Sequence, residues 1–494
     1  MLLGIDIGTT HSKVGLFRAD GSLLAYASHD TPAALDAAGQ PVIDPEALWR
    51  VVRRGIGQVT QGGERVQAVG VAGMAESGLL LDRASGQPRT PILPWHGQQG
   101  SAHVATLRVA APPAERFAVS GIRPTYKASL TKILGLREPD PAALDGAVWL
   151  SAPDYVVYRL TGALVTDHSL AGRTYAFDIH GRRWDAGWLA ALGLTADLFP
   201  DALPAGTPFA ARDDCLPPGT PVSVAGHDHV CAAFAAGVIQ PDHVLDSMGT
   251  AETLVGTWAA PRALTADDFA SGLLFGCHVI PERHYWMGSL SASGGSIEWL
   301  RGLLDGLLTY TDVEALAAPV DTPTGILYFP YLSGSSRRPG DRAAFVGLRR
   351  DHGRAHLLKA ALEGTAYEME TLRATAASAL GVTAGRVTVV GGGTRSPVWL
   401  QVKADVSGVA HHIHPTAEAA LLGAALVAGL GSGVYTSADE AAAAVRLDDA
   451  LAAVRPRPDA HARYQRLYRD GYLPLLDTLR AAYARLDDFD FLIS

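Results

Sequence analysis

Residues 4–13, GIDIGTTHSK, set a carboxylate (Asp6), a glycine (Gly8), two hydroxyls (Thr9, Thr10) and a cation (Lys13) in one tight turn. Apolar, strand-like runs flank that turn. The set suits a phosphate chain with magnesium. Gly8 lets the backbone approach, the threonine amides and hydroxyls donate to phosphoryl oxygens, Lys13 offsets charge, and Asp6 holds the metal through water. The alternative is a plain hairpin with its usual turn residues. It is not a GxxxxGK[ST] loop between strand and helix. A second turn, Gly249 and Thr250 within VLDSMGTAETLVGTW (residues 244–258), could meet the phosphates from the opposite side, or be a turn and nothing more. In GGGTRSPVWL (residues 391–400), Gly391, Gly392 and Gly393 leave room for a flat nucleobase or ribose against the backbone.

AGHDH (residues 225–229) follows an apolar strand, where parallel sheets present active residues. Asp228 is the candidate general base for a phosphoryl acceptor, a carboxylate that orients a hydroxyl and takes its proton late in transfer. Two other readings stay open: Asp228 as a cap at a helix start, and His227, Asp228 and His229 as ligands of a metal-dependent hydrolase.

Such groups need rigid elements to hold them. The chain has 494 residues, 48% apolar and 18% charged, enough for two large, well-packed domains. Helical periods at 45–59, 356–380 and 396–406 alternate with strand-like runs at 68–71, 222–225 and 387–390, which predicts α/β architecture. The two similar hairpins, half a chain apart, suggest duplicated domains facing one another, divided at residues 239–243 into 1–240 and 241–494. The apolar stretch 419–434 is too short to span a bilayer and reads as a buried helix. Beyond Thr436 the chain is Ala- and Arg-rich, and its helices are expected to pack back across the domains.

A net charge of −9 argues against a general nucleic-acid surface. Three sparse cysteines and the lack of a leader-like start fit a cytoplasmic protein with no membrane partner.

AAFVGLRRDHGRAHLLKAALEG (residues 343–364) resembles the C-terminal signature of the FGGY carbohydrate kinases. GIDIGTTHSK, the SMGT turn, SASGGSIEWL (residues 291–300), FPYLSG (residues 329–334) and GGGTRSPVWLQVKADVSG (residues 391–408) resemble family segments in family order. The resemblance implies two ribonuclease-H-like domains of the actin, hexokinase and heat-shock-chaperone superfamily, closing over ATP, magnesium and substrate in a central cleft. It implies Asp228 as catalytic base, Asp6 and Asp228 at the metal, and Thr9, Thr10 and Lys13 as the first phosphate loop. Gly249, Thr250, Gly294, Gly295 and Gly391 to Gly393 take nucleotide-side positions, and Glu76 and Trp95 line the substrate.

The expected reaction moves the γ-phosphoryl group of ATP to a hydroxyl of a ketose, such as a pentulose, or of a polyol. A homodimer is compatible with the sequence, and a chaperone-like ATP-binding switch is the alternative. Departures concern the acceptor: Ala75-Glu76 stands where xylulokinases have Met-His and glycerol kinases Arg-Glu, Gln99 replaces an arginine, and Gly135 replaces a tryptophan near Lys132. Lys132 is expected to be solvated or salt-bridged, and Arg337 and Arg338 are expected to be loop arginines.

Overall fold

The run LLGIDI is buried at all six positions, as a central strand covered on both faces must be. It forms β1 (Leu2–Ile7), which pairs antiparallel with β2 (His11–Phe17), and β2 pairs in turn with β3 (Leu23–Asp30). Helix α1 (Pro45–Val59) starts where the Asp44 side chain accepts from the Glu46 amide and Pro45 takes the first helical position. Its buried stripe of Leu48, Trp49, Val52 and Ile56 seats it on the sheet and returns the chain to β4 (Ala68–Gly73), parallel to β1. After α2 (Ser129–Arg137) come β5 (Phe209–Ala210) and β6 (Pro221–His227); β6 runs parallel to β4. The sheet order is β5-β6-β4-β1-β2-β3.

The second half repeats the plan. After α3 (Asp228–Ala235), strands β7 (His243–Met248), β8 (Glu252–Trp258), β9 (Leu274–Cys277) and β10 (His284–Leu290) are antiparallel neighbours. Helices α4 (Gly294–Leu304) and α5 (Arg354–Leu380) lead to β11 (Arg386–Val390), then α6 (Pro397–Ser407), β12 (His411–Ile413), α7 (Ala419–Gly431) and β13 (Ala453–Val454). The order is β9-β10-β8-β7-β11-β12-β13. Without the edge strands, β3-β2-β1-β4-β6 and β10-β8-β7-β11-β12 are one topology, three antiparallel strands extended by two parallel ones. That is the ribonuclease-H-like core, present twice.

Helices α3 and α7 share one core with residues of both sheets, among them Leu2 and Ala72 of the first and Leu245 and Val390 of the second. Gly4 and Gly70, paired across β1 and β4, make this possible. A Cβ on either would lie about 2 Å from a carbonyl oxygen of α7, Leu421 O or Ala424 O, and one on Gly423 would strike Cys231 O of α3. The apolar stretch read as a buried helix is therefore the packing element between the sheets.

Helix α8 (Pro458–Leu467) and α9 (Leu473–Leu486) complete the chain; Tyr464 and Tyr468 pack on Tyr367 of α5. The computed structural model describes residues 1–258, 262–335, 340–416, 418–445 and 452–486. Arg337 and Arg338 lie outside the described residues. No helix among the described residues is long and apolar enough to cross a membrane.

Candidate active site

Three parallel strands, β1, β4 and β6, end side by side, with Ile7 and His227 both in register with Gly73. Asp6 is the penultimate residue of β1, Glu76 lies three residues past β4, and Asp228 follows β6 directly. Carboxylates from three separate stretches of sequence thus meet at one sheet edge. A bulge between Val224 and Gly226 re-aims the end of β6. Gly226 takes φ +118°, and a Cβ there would sit 2.5 Å from Ser169 Oγ, which accepts from the His227 amide at 2.9 Å. The bulge and this anchor fix Asp228 at the first position of α3.

Two of the open readings of Asp228 fail: it does not cap the helix, and among the described residues no three metal-ligating side chains converge, at His227, Asp228 and His229 or elsewhere. His227 occupies the N-cap position and makes no side-chain cap bond, and among the described residues the backbone amide bonded to the Asp228 side chain is that of its neighbour His229, at 2.6 Å. His227 Nε2 lies 3.2 Å from Asp228 Oδ1. Burial drives the His227 pKa well below the usual histidine range, so a neutral ring lies beside the carboxylate. Burial also raises the pKa of Asp228, with Glu76 adding to the rise and His229 and Arg173 opposing it. Asp6 is pushed up to about 7 by burial and then by the Asp228 charge, against the pull of Lys13.

Glu76 adopts φ +62°, a left-handed conformation that costs a glutamate about 1 kcal/mol or more. Its carboxylate accepts from Arg173 Nη2 at 2.6 Å, and both side chains are only 9% exposed. Trp95 donates from Nε1 to Thr9 Oγ1 at 2.9 Å, tying the indole to the first hairpin turn. The Lys127 ammonium stands 4.9 Å from the centre of that indole ring. Lys132 departs from expectation. It is fully buried and donates to the carbonyls of Lys127 (2.6 Å) and Tyr126 (3.5 Å), and burial lowers its pKa to about 8.

The other two departures lie against each other. A Cβ on Gly135 would sit 2.7 Å from Gln99 O, and one on Gly100 would sit 2.3 Å from Thr131 O. The 95–100 loop therefore lies flat on α2, where a tryptophan at 135 would push it away.

In the first turn, Gly8 N donates to His11 O at 3.1 Å and Thr31 Oγ1 donates to Gly8 O at 2.8 Å, leaving Thr10 exposed. Lys13 Nζ donates to Glu418 Oε2, just before α7, at 2.6 Å.

The second turn keeps Gly249 and Thr250 exposed. The Gly294 and Gly295 amides donate to the carbonyls of Gly249 (3.1 Å) and Thr250 (3.0 Å), so the start of α4 holds the turn and has no free donor at these two positions. Gly391 and Gly393 pack on Met248, where a Cβ would lie 2.5 Å from its oxygen and 2.8 Å from its Cβ, whereas Gly392 faces open space to 3.7 Å. The structure thus gathers Gly249, Thr250, Gly294, Gly295, Gly391, Gly392 and Gly393 around one hairpin tip, and Asp6, Thr9, Trp95, Glu76 and Asp228 around the other sheet's strand ends. A groove of about 750 Å³ lies elsewhere, beside Pro323, Arg463 and Asp470, and contains none of these residues.

Sequence reasoning missed Arg173, Lys127 and Glu418. Arg173 comes from a short 3-10 helix (Gly172–Thr174), Lys127 from a turn and Glu418 from the approach to α7, and only the fold brings them near Glu76, Trp95 and Asp6.

Residues 1–235 match the profile of the FGGY family of carbohydrate kinases, N-terminal domain, and residues 246–432 that of the C-terminal domain. A glycerol kinase from Gloeobacter violaceus is 30% identical over 90% of this chain and 91% of its own length. One from Acidovorax ebreus is 29% identical over 96% and 99%. The crystal structure of xylulose kinase from Rhodospirillum rubrum superimposes with a TM-score of 0.89 at 27% identity, covering 98% of this chain and 99% of that one. With both halves matched, two ribonuclease-H-like cores and a carboxylate cluster at the sheet edge, the chain belongs to the FGGY family of carbohydrate kinases, which move a phosphoryl group from ATP to a sugar or polyol hydroxyl.

Proposed function

We propose that Asp228 is the general base of this transfer and that the acceptor is a ketose, such as a pentulose, or a polyol bound between Glu76 and Trp95. The observation that carries the reading is the Asp228 carboxylate itself, at a helix start among converging strand ends, with its proton affinity raised by burial. The acceptor oxygen forms a bond to the γ-phosphorus as the bond to the β-phosphate oxygen breaks; ADP leaves, and the hydroxyl proton passes to Asp228. Raised affinity makes the carboxylate a better acceptor for that proton. The neutral His227 ring holds the carboxylate in place, and Glu76 accepts hydrogen bonds from neighbouring acceptor hydroxyls.

Thr9, Thr10 and Lys13 receive the phosphates from one side, Gly249 and Thr250 from the other, and Gly392 leaves the open approach for the nucleoside. Magnesium fits the site. Asp6 Oδ1 is buried without a hydrogen-bond partner, and the Asp228 charge raises the proton affinity of Asp6, which marks surplus negative charge. Among the described residues no three metal-ligating side chains converge, so Asp6, with Asp228, would hold the ion largely through water. Bound there, the ion offsets charge on the phosphates. We take residues 1–240 and 241–494 as the two domains, and the three unpaired cysteines support a cytoplasmic setting.

Asp228→Asn tests the reading. It is expected to bind ATP normally and to lose turnover by about 10³-fold in a coupled ADP-release assay. Turnover within a few-fold of the parent enzyme overturns the assignment. No observation favours the ATP-driven switch.

A further inference from the structure

The acceptor side of the cleft carries more positive charge than a neutral polyhydroxylic acceptor needs. Lys127, Arg173 and Lys132 gather there against the carboxylates of Glu76 and Asp228. Lys132 is committed to two backbone carbonyls. Arg173 is committed through one terminal nitrogen to Glu76, and its Nε is buried without a hydrogen-bond partner. Lys127 is different: among the described residues its ammonium has no hydrogen bond and no ion pair, only the face of Trp95 at 4.9 Å. Burial lowers its pKa, while the charges of Glu76 and Arg173 reach it with opposite signs, so it faces the same space as that pair.

A half-buried ammonium with no anion beside it is costly, and a ring face offsets only part of the cost. A ligand anion would offset the rest. The phosphates of ATP do not fit that place. The indole N–H end of Trp95 points to Thr9 in the phosphate turn, whereas Lys127 stands over the ring face and feels Glu76. The phosphate turn has its own lysine, Lys13.

We propose that the acceptor is a polyhydroxylated carboxylate, an aldonic-acid type of sugar, with its carboxylate held by Lys127 against Trp95 and a hydroxyl presented to Asp228. This rests on the kinase reading above and sets an acidic acceptor in place of a neutral ketose or polyol. One lysine, with an arginine already paired, matches a monoanion. A phosphoryl dianion would leave surplus negative charge beside Asp228.

The test measures kcat/KM for ATP-dependent phosphorylation of aldonates of four, five and six carbons against the alditols and ketoses of the same lengths. For at least one length the aldonate is expected to be preferred by about tenfold or more, the worth of one charged hydrogen bond. Lys127→Met is expected to lower the aldonate-to-alditol ratio by about 10- to 100-fold, mainly through KM, and Lys127→Arg to keep it within about threefold. Neutral acceptors turned over as well as the acids by the parent enzyme, or a Lys127→Met variant that slows both alike, overturns this inference while leaving the kinase reading standing. ATP binding with no turnover on any member of the panel overturns both. The comparison on the parent enzyme keeps the test decisive even if Lys127→Met fails to fold.

Discussion

Two hairpins open the two sheets, and each sets an aspartate in its first strand, Asp6 in β1 and Asp246 in β7. Their surroundings differ in charge. Asp246 is neutralised: Lys403 Nζ from α6 donates to it at 3.0 Å and also to Glu252, which accepts from Ser293 as well. Burial and the Asp246 charge push Glu252 up to about 8, against the pull of Lys403. Asp6 has no such partner. It faces Asp228, and its neighbour Lys13 is taken by Glu418. The same hairpin is thus closed electrostatically in one domain and left open in the other, and the open copy is where a metal ion and a phosphate can enter.

The strongest way to break this contrast is to unbalance the closed hairpin. Lys403→Met leaves two buried acidic groups without their cation and is expected to cost about 3–5 kcal/mol in urea unfolding. Replacing all three, Asp246→Asn, Glu252→Gln and Lys403→Met, is expected to recover most of that loss. A single variant as stable as the parent would show that the second cluster is not balanced as described. In the open hairpin the damage should fall on chemistry instead: Asp6→Asn is expected to lower kcat by about 10²- to 10³-fold, with an unfolding midpoint at or above that of the parent.

Much of this architecture can be read in the sequence. The helical periods near 45–59, 356–380 and 396–406 and both hairpins sit where apolar spacing places them, because local pattern decides whether a buried face exists. The second copy of the sheet was less legible, since only a few residues of its hairpin repeat the first. Asp6 and Asp228 were legible as well, being next to strand ends. Glu76 was visible as a residue but not in its left-handed backbone, which nothing about a glutamate announces. Lys132 was read as solvated or salt-bridged because an isolated lysine usually is; three-dimensional packing alone reveals the two carbonyls that accept from it. Gly294 and Gly295 illustrate the same gap, since their amides are consumed by a turn more than forty residues earlier in the chain.

Proton linkage sharpens the comparison, because the two hairpins should respond to pH in opposite directions. A carboxylate base works only when ionised, so kcat/KM is expected to fall about tenfold per unit as pH drops below the raised pKa of Asp228, with its acidic limb above the usual carboxylate range. Glu252 acts on stability. Its folded pKa lies above its unfolded value, so the folded state holds the extra proton; its contribution is full below about 4.5 and is lost as pH rises through about 8. Rate profiles and unfolding midpoints across that range check the two signs separately.

The smallest expected effect concerns how Lys13 is kept in reserve. Its ion pair with Glu418 is partly exposed, 26% and 23%, and such pairs contribute at most about 1 kcal/mol. Glu418 also adds negative charge beside Asp6, at the proposed phosphate site. Glu418→Gln keeps a hydrogen-bond acceptor for Lys13 but removes both the competition for it and the repulsion. The KM for ATP should therefore drop, by about two- to fivefold, with the unfolding midpoint almost unmoved. A rise in KM instead would mean that Glu418 serves to aim Lys13 at the phosphates, and that even the open hairpin depends on a carboxylate from the other half of the sequence.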